Sequence, residues 1–261
     1  MHNVPIDDVD HLARPVIALA RHYPPGYLLA MHSHRRAQLL YGATGVMHVT
    51  TQQGNWLVPP QRAVWLPPGM PHQVTMVGVT THSLYLEPAA LPEAIRTAPC
   101  RVVSVSPLMR QLLIAAVEMP LEYAQHGRDG ALIALLLHEI ARMPALPLHI
   151  PLPADARLHA LCHAFLQQPD IHLPPQQWAA RLYMSLRSFS RFFQRQTGMP
   201  FSQWRQRAAV VWALARLAAG DSVTQIALEL GYENSAAFSA MFRRVLGQTP
   251  SSFLQDGEIA R

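Results

Sequence analysis

IALELGYENSAAFSAMF, residues 226–242, is the stretch that decides the fold of the C-terminal third of this chain. A related stretch begins 48 residues earlier: WAARL at 178–182 corresponds to IALEL at 226–230, and FSRFF at 189–193 corresponds to FSAMF at 238–242. Internal similarity at such a period indicates a duplicated supersecondary unit. The sequence therefore predicts two copies of one local fold.

Each copy has the plan of a helix-turn-helix. A short apolar helix is followed by a tight turn, at 183–185 in the first copy and at 231–234 in the second, and then by a second helix. A glycine, Gly198 or Gly247, stands where a left-handed residue commonly ends a helix. In this motif the second helix enters the major groove of DNA, so both second helices are candidate recognition helices.

The first candidate recognition helix, predicted at 186–196 behind a Ser185 cap, has two different faces. At about 100° per residue, three apolar side chains gather on one side and three arginines on nearly the opposite side. The apolar residues are Leu186, Phe189 and Phe193, and the arginines are Arg187, Arg191 and Arg195. An apolar face seats a helix, and an arginine face suits phosphates and guanine edges. The alternative, a merely solvated face, is disfavoured by the duplication.

The second candidate recognition helix, predicted at 236–246 behind a Ser235 cap, carries fewer long polar side chains. Its small residues favour close approach to the DNA backbone or contact with thymine methyl groups. The predicted DNA-contacting residues are Ser185, Arg187, Ser188, Ser190, Arg191 and Arg195 in the first copy, and Asn234, Ser235, Ala236, Ser239, Arg243 and Arg244 in the second. We therefore expect unequal contributions, with direct readout concentrated in the first copy.

Four prolines between residues 144 and 153 exclude a continuous helix or a central strand, so a domain linker is predicted there. Beyond it the predicted helices are 155–166, 175–182, 186–196, 201–219, 223–230 and 236–246. The predicted domains are a β-barrel sensor at 1–90, a helical dimerisation or relay segment with the linker at 91–153, and a DNA-binding domain at 154–256. The predicted fold class is α+β.

Short β-rich runs separated by proline and glycine fill the N-terminal part. The predicted strands are 46–51, 55–58, 63–66, 73–77 and 82–86, and their regular spacing indicates a small antiparallel barrel or sandwich. Ser106 followed by Pro107 predicts a helix through about residue 125, and a second helix is predicted at 131–142. Both helices are apolar around much of their circumference, so they need the barrel or another subunit as a packing partner.

The composition limits the class of protein. The chain of 261 residues is 50% hydrophobic, which excludes disorder of the whole chain, and its basic side chains are all arginine. Of the formal charge of +5, residues 155–261 contribute +4, as expected if that part binds a polyanion. Cys100 and Cys162 are too few for a disulfide framework. No signal peptide or membrane span is indicated, so a bacterial cytoplasmic location without a membrane partner is expected.

Residues 158–254 resemble the DNA-binding domain of the AraC/XylS family of transcription regulators, and the stretch from Ile226 to Ser251 is close to the family signature. The resemblance implies two helix-turn-helix units bridged by the long helix at 201–219. That helix would space the recognition helices for successive major-groove faces of double-stranded promoter DNA. A homodimer through the helical segment at 106–142 is one expected arrangement, and RNA polymerase is an expected partner if the protein is an activator.

Residues 16–87 are similar to cupins. The first cupin motif has the spacing of Gly26, His32, His34, Gln38 and Gly45, and residues 67–72 reproduce the core of the second motif. His32 and His34, two apart on a strand, face the same side, so His72 from another strand could complete a three-nitrogen site. Gln38 stands where cupins usually carry Glu and would be a weak, neutral fourth ligand.

Three interpretations of this site stay open. In one, His32, His34, Gln38 and His72 hold a divalent metal such as Zn, Mn or Fe. In another, they bind a small organic effector by hydrogen bonds and without a metal, in a pocket whose walls include aromatic rings. The candidate rings are Tyr41 and Trp65, together with Trp56 and Tyr85. In the third, the four residues are hydrogen-bonded core groups.

Together these features predict a one-component transcription regulator that responds to a small-molecule effector. Some cupin-containing regulators of the AraC family control a neighbouring efflux pump, so a transporter gene is an expected target by analogy. The alternative is a cupin-type metal-dependent dioxygenase or isomerase with a helical assembly tail, but it leaves the duplicated motif unexplained. A nonspecific architectural DNA binder would need no sensor domain.

Overall fold

The computed structural model describes residues 5–52 and 54–253; residues 254–256, the predicted end of the DNA-binding domain, lie outside this range. By internal contacts the chain divides into a first unit, Met1–Gln52 with Trp56–Leu146, and a second unit, Gln53–Asn55 with Pro147–Arg261. The first is mainly antiparallel sheet and the second is helical. The fold is therefore α+β, as predicted.

The first unit is built on two antiparallel sheets. The strands are β1 (Val16–Tyr23), β2 (Tyr27–His32), β3 (Ala37–Gly42), β4 (Val46–Thr51), β5 (Gly54–Val58), β6 (Arg62–Leu66), β7 (His72–Val77), β8 (Val79–Leu86), β9 (Arg101–Ser104) and β10 (Ala145–Leu146). One sheet has the order β1-β8-β3-β6-β9-β10, and the other places β5, β4, β7 and β2 side by side. Each of the five predicted strands is present.

Side-chain alternation along β3 separates two environments. Ala37, Leu39 and Tyr41 belong to a large apolar core that the six-stranded sheet shares with the helices of this unit. Gln38 and Leu40, pointing the other way, line a cavity. Because successive side chains on a strand point to opposite faces, one strand serves both the core and the cavity.

The helices of the first unit, α1 (Glu93–Arg96), α2 (Pro107–Glu118) and α3 (Arg128–Arg142), pack on the six-stranded sheet. This sheet is the partner surface that the apolar faces of α2 and α3 require. The expectation that α2 continues to about residue 125 is wrong. Met119 is extended, with φ −66° and ψ 152°, because Pro120 disfavours helical backbone in the residue before it and has no N–H to donate.

The second unit contains β11 (His149–Ile150), α4 (Ala156–Gln167), α5 (Pro175–Arg181), α6 (Leu186–Thr197), α7 (Phe201–Ala218), α8 (Val223–Glu229) and α9 (Ser235–Leu246). Each of the six predicted helices is present. The proline-rich stretch is more ordered than a plain linker, because it forms the two-residue strands β10 and β11 between its prolines. Gly54, the first residue of β5, belongs to the second unit, and β11 lies so close to it that a Cβ at Gly54 would meet the Ile150 carbonyl oxygen at 2.8 Å.

Aromatic rings form the core of the first half of the second unit. Trp178 of α5 lies 6.2 Å from Phe193 of α6 and 4.9 Å from Phe201 of α7, measured between ring centroids. The Trp204 indole of α7 also joins this cluster and donates to the Pro151 carbonyl oxygen at 2.9 Å. Each such ring removes roughly 150–250 Å² from water, so the cluster is the main source of stability for α5, α6 and α7.

The second half of this unit repeats the arrangement with fewer rings. Ile226 of α8 and Phe238 and Phe242 of α9 are fully buried, and the two phenylalanine rings lie 5.8 Å apart. An ion pair between Arg216 of α7 and Glu229 of α8, at 2.6 Å, ties the long helix to this half. The two halves share α7, which spans the distance between them.

Candidate DNA interface and effector cavity

Helix α6 begins and ends as the sequence predicts. The Ser185 hydroxyl accepts the Ser188 N–H at 3.2 Å and donates to the Ser188 hydroxyl at 3.0 Å. This cap satisfies one of the N–H groups left unpaired in the first helical turn. The helix ends at Gly198, whose φ of 75° is the left-handed conformation that glycine adopts without steric cost.

Two arginines of α6 are exposed and available to a ligand. Arg187 and Arg191 have neither a hydrogen bond nor an ion pair within the part of the chain that the structure describes. Phe189 and Phe193 are fully buried on the other side of the helix. The prediction that Leu186 belongs to the buried apolar face is wrong. Its side chain is 41% exposed, because it is the first helical residue and lies before the turn that packs on the aromatic cluster.

The other predicted contact groups of α6 are exposed but engaged within the helix. The Ser190 hydroxyl donates to the Leu186 carbonyl oxygen at 2.9 Å. The Arg195 guanidinium lies 5.7 Å from the centre of the Phe192 ring, a cation–π contact. Ser188 is bonded to the cap, as described above. Among the predicted contact residues of α6, Arg187 and Arg191 are therefore the long side chains that need not give up an internal contact to reach DNA.

Helix α9 differs from the prediction at its first turn. Its cap is Asn234, whose amide oxygen accepts the Ala237 N–H at 2.9 Å, and Ser235 is the first helical residue. Asn234 is extended, with φ −157° and ψ 164°, so its side chain reaches the free N–H of the first turn. Of the other predicted contact residues, Ala236, Arg243 and Arg244 are exposed, and Ser235 and Ser239 are partly exposed.

The turns that precede α6 and α9 share one backbone feature. Tyr183 and Gly231 occupy equivalent positions and are both left-handed, with φ of 57° and 92°. Glycine accepts this conformation freely, whereas a β-carbon makes it unfavourable by about 1–2 kcal/mol. The Tyr183 side chain is 93% exposed, so packing does not compensate for that cost. The duplicated turn is therefore the same in geometry but not in sequence.

A cavity of about 210 Å³ lies within the first unit. Its polar lining includes His32, His34, Gln38 and His72, the four residues that the cupin-like motifs single out. His32 on β2 and His72 on β7 are directly opposed across the strand pair, and His34 follows just beyond the end of β2. One ring nitrogen from each of the three histidines lies within 4.8 Å of the other two. Two distant segments of the chain thus converge on one site.

Hydrogen bonds decide which nitrogens face the cavity. The Nδ1 atoms of His32 and His72 donate to the carbonyl oxygens of Ala30 and Met70, at 2.7 and 2.9 Å. A carbonyl oxygen can only accept, so each Nδ1 carries the proton and each Nε2 of the neutral ring offers a lone pair. His34 Nε2 is buried without a hydrogen-bond partner. Three imidazole nitrogens are therefore available to a ligand.

Burial keeps two of these rings neutral. It lowers the pKa of His72 to about 4, and burial together with the neighbouring imidazoles lowers the pKa of His34 to about 4. Gln38 is also buried: its Nε2 donates to the Tyr85 hydroxyl at 3.1 Å, while its Oε1 has no hydrogen-bond partner. Neutral nitrogens with free lone pairs are the ligands that divalent transition metals prefer, so the three histidines fit such an ion.

Tyr41 and Trp65 are not at this cavity, which corrects the predicted effector site. Both are buried in the core between the six-stranded sheet and the helices, where the Trp65 indole donates to the Ala98 carbonyl oxygen at 3.3 Å. Tyr41 is three residues from Gln38 on β3, and an odd separation places side chains on opposite faces of a strand. Strand alternation could have excluded Tyr41 from the sequence alone.

The cavity also has lining residues that the sequence did not predict. Arg21 and Tyr23 of β1 and Tyr85 of β8 line it, and Ile6 and Asp7 from the N-terminal segment lie at it as well. Tyr85 was among the candidate aromatic rings. The N-terminal residues carry no motif or periodicity that could have pointed to them.

The comparisons with known proteins follow the same division. Residues 14–141 match the family described as AraC-like ligand binding domain, and residues 178–256 match the family described as Helix-turn-helix domain. The HTH-type transcriptional regulator NimR of Escherichia coli strain K12 is 33% identical over 228 residues, which cover 86% of this chain and 81% of NimR.

The chain belongs to the AraC family of transcriptional regulators. The regulator RipA of Corynebacterium glutamicum is 31% identical over 103 residues, which cover 40% of this chain and 31% of RipA. Among solved structures, ToxT of Vibrio cholerae has a TM-score of 0.38 at 8% identity, covering 94% of this chain and 100% of that chain. The DNA-binding domain of AdpA, solved with a target DNA, has a TM-score of 0.36 at 32% identity, covering 39% and 94%.

Membership of the AraC family decides between the two predicted functions, a transcription regulator and a cupin-type enzyme. This AraC-family regulator has a ligand-binding domain and a DNA-binding domain, and it is not an enzyme. Its helix-turn-helix domain is of a class that binds double-stranded DNA. Among the described residues, no helix is both long enough and apolar enough to cross a membrane.

Proposed function

We propose that this regulator reads promoter DNA chiefly through Arg187 and Arg191 of α6, and that α9 positions the protein on the duplex. The observation that carries the proposal is that both guanidinium groups are exposed and uncommitted on a helix whose opposite face is seated in an aromatic core. A planar guanidinium with free donors can bond the O6 and N7 atoms of guanine together.

Other arginines of the second unit are held by the protein itself. Arg216 is paired with Asp221 and Glu229, and Arg205 donates to the Leu173 carbonyl oxygen at 2.7 Å. On α9, Arg243 and Arg244 follow a start of small side chains, so they suit phosphates more than base edges. This contrast supports direct readout by α6 and a positioning role for α9.

In the first unit, we propose that the cavity containing His32, His34, Gln38 and His72 binds the small-molecule effector. Its volume of about 210 Å³ suits a small ligand, and its lining combines apolar walls with a few convergent polar groups. If the effector includes a divalent metal, the three histidines would hold it, and the ion would supply a Lewis-acidic centre for a further ligand.

Homodimerisation through α2 and α3, contact with RNA polymerase and action in the bacterial cytoplasm are parts of the same proposal. Leu108 of α2 and Leu135 of α3 remain 48% and 42% exposed. These side chains give a dimer interface a starting point beyond the face that packs on the sheet. Light scattering of the purified chain at several concentrations would measure the dimer.

The test of DNA reading is binding of fluorescent DNA from upstream of the protein's own gene, with competitor DNA and graded salt. Arg187→Ala and Arg191→Ala are each expected to weaken specific binding by about 1–3 kcal/mol, roughly 5- to 150-fold. Arg96→Ala, which removes the same charge from an exposed position in the first unit outside α2 and α3, is the matched control and should change affinity little.

Two outcomes would contradict the proposal. If wild-type protein shows no preference for this DNA over competitor, or for any sequence selected from a random pool, the protein is not a sequence-specific regulator. If preference survives both arginine substitutions, α6 is not the reading helix. Affinity that falls with salt in wild type and less steeply in the variants would identify phosphate contacts instead.

A further inference from the structure

The charge of the side chains that line the cavity indicates which class of ligand a metal ion bound there would take. The charged side chains that line the cavity near the three histidines are Arg21 and Asp7, whose charges are opposite in sign and cancel. Gln38 and Tyr85 add no charge. We propose that a divalent ion held by His32, His34 and His72, as the cupin-like motifs imply, would take a small anion at its open coordination positions, because Gln38 supplies no charge. This proposal rests on the effector role of the cavity.

The geometry of the three rings supports a shared ion. Their centroids lie 4.3, 4.8 and 5.3 Å apart, and the Nδ1 bonds of His32 and His72 to backbone carbonyls hold two of the rings in orientation. Nitrogens bound at about 2.1 Å to one tetrahedral ion are about 3.4 Å apart, so nitrogens that lie within 4.8 Å of one another need to close by at most about 1.4 Å on binding.

The anion follows from the neutrality of the donor set. Three neutral imidazoles leave the full double charge of the ion inside the protein, and a buried charge without a counter-charge is strongly unfavourable. A carboxylate at position 38 would cancel half of it, but Gln38 cannot, and its amide nitrogen is already bonded to Tyr85. An anionic ligand supplies the missing charge.

The size of the cavity limits that ligand. A water molecule occupies about 30 Å³ in the liquid, so about 210 Å³ holds an ion together with a small oxyanion or a short carboxylate. Leu29, Leu40 and Val74 form an apolar wall beside the histidines, which suits the hydrocarbon part of a carboxylate. The expected natural ligand is therefore a small organic anion that coordinates through oxygen.

The experiment uses cobalt chloride as the metal and sodium azide as the anion, with the full-length chain. Cobalt binding is followed by calorimetry and visible absorption, and we expect one ion per chain. His34→Ala and His72→Ala should abolish it, whereas His126→Ala, an exposed histidine of the same unit, should leave it unchanged. Azide should then alter the cobalt spectrum of the loaded protein.

The decisive variant is Gln38→Glu, which supplies a carboxylate inside the site. It should raise cobalt affinity and lower azide affinity, each by about tenfold or more. Failure to bind cobalt would overturn the metal site, and azide affinity unchanged in Gln38→Glu would overturn the anion assignment. DNA binding by the metal-free protein is measured separately, so either failure is distinct from failure of the proposed DNA reading.

A separate set of contacts concerns the spacing of the two recognition helices. The loop between α4 and α5 reaches the turn before α9: the Ile171 N–H donates to the Leu230 carbonyl oxygen at 3.1 Å, and His172 Nε2 donates to the Gly231 carbonyl oxygen at 2.6 Å. Arg205 of α7 holds the same loop through the Leu173 carbonyl oxygen. The loop therefore links the first half of the unit to the second half, in addition to α7.

We infer that this loop fixes the second helix-turn-helix relative to the first, with His172 as a positioning residue. The Asp170 carboxylate accepts the His172 N–H at 2.7 Å and thereby orients the loop. Contact with Gly231 is close enough that a Cβ there would meet the His172 ring at 2.9 Å. A rigid link of this kind would make the protein selective for the distance between its two DNA contacts.

The test measures affinity for the preferred DNA and for versions with one base pair inserted or removed between the two contacted segments. Wild type should lose roughly tenfold or more on the altered spacings. His172→Ala should lose much less, with a similar melting temperature, and His172→Gln, which keeps a donor, should restore the wild-type penalty. An unchanged penalty in His172→Ala would overturn the inference, whereas absence of any specific binding in wild type would instead overturn the proposed function.

Discussion

Replacement of Phe193 by alanine tests whether an aromatic cluster seats the first recognition helix. Phe193 is fully buried, and its ring centroid lies 5.2–6.2 Å from those of Trp178, Phe189, Phe201 and Trp204. Removal of a phenyl ring from such a position costs about 3–5 kcal/mol, because the transfer free energy is lost and a cavity remains. Against a typical stability of about 5–15 kcal/mol, this is a large fraction.

The neighbouring substitution Phe192→Ala is the matched control. Phe192 is partly exposed, packs on the edge of the same cluster and contacts the Arg195 guanidinium, so its loss should cost clearly less than that of Phe193, about 1–2 kcal/mol. Urea unfolding of both variants, followed by far-UV circular dichroism, gives the free energies of unfolding. Specific DNA binding should fall in Phe193→Ala as α6 loses its seat. A cost below about 1.5 kcal/mol, or equal costs in the two variants, would refute this reasoning.

Three further predictions concern the cap, the thiols and a buried arginine. Ser185→Ala should destabilise the second unit by about 1 kcal/mol in urea unfolding, because it removes the acceptor for the Ser188 N–H, and Ser185→Asp should restore the loss. Burial raises the pKa of Cys100 and of Cys162 to about 12, so neither should react with an aromatic disulfide reagent at pH 8 until urea unfolds the chain; rapid native labelling would contradict their burial. Arg36→Met should lower the free energy of unfolding by about 3 kcal/mol and speed proteolysis near the N-terminus. The reason is that the buried guanidinium donates to a carboxylate and to several carbonyl oxygens of the N-terminal segment. Unchanged cleavage would show that these bonds do not hold the segment.

The helices of the second unit could be predicted because their signals are local. Ser185 and Gly198 bound α6, and the spacing of its apolar residues requires only neighbours three or four positions away. The cap of α9 was assigned one residue too late, since Asn234 and Ser235 are both good capping residues and only backbone geometry distinguishes them. Pro120 is a local signal that α2 ends near Glu118. The prediction followed the apolar pattern beyond this proline and therefore made the helix too long.

The histidine site could be predicted only in part, because its residues come from distant parts of the chain. Motif spacing identified His32, His34 and His72, because the cupin-like pattern is a property of the sequence itself. The expectation that His32 and His34 share a face of one strand is wrong, because β2 ends at His32 and His34 lies beyond it. Their convergence depends on pairing of β2 with β7, and the placement of Ile6 at the cavity depends on packing of a segment without periodicity. Such contacts join residues far apart in the chain, and no local pattern encodes them.

The sequence by itself determined that the chain carries two helix-turn-helix units behind a β-rich sensor domain, because capping and periodicity act over a few residues and the repeat can be read by comparing two stretches of the chain. Tertiary structure decided which polar groups are free. Arg187 and Arg191 are uncommitted while Arg205 and Arg216 are bonded, and Tyr41 lies in the core while Gln38 faces the cavity. Availability of a side chain depends on all its neighbours in space, and those neighbours exist only once the chain has folded.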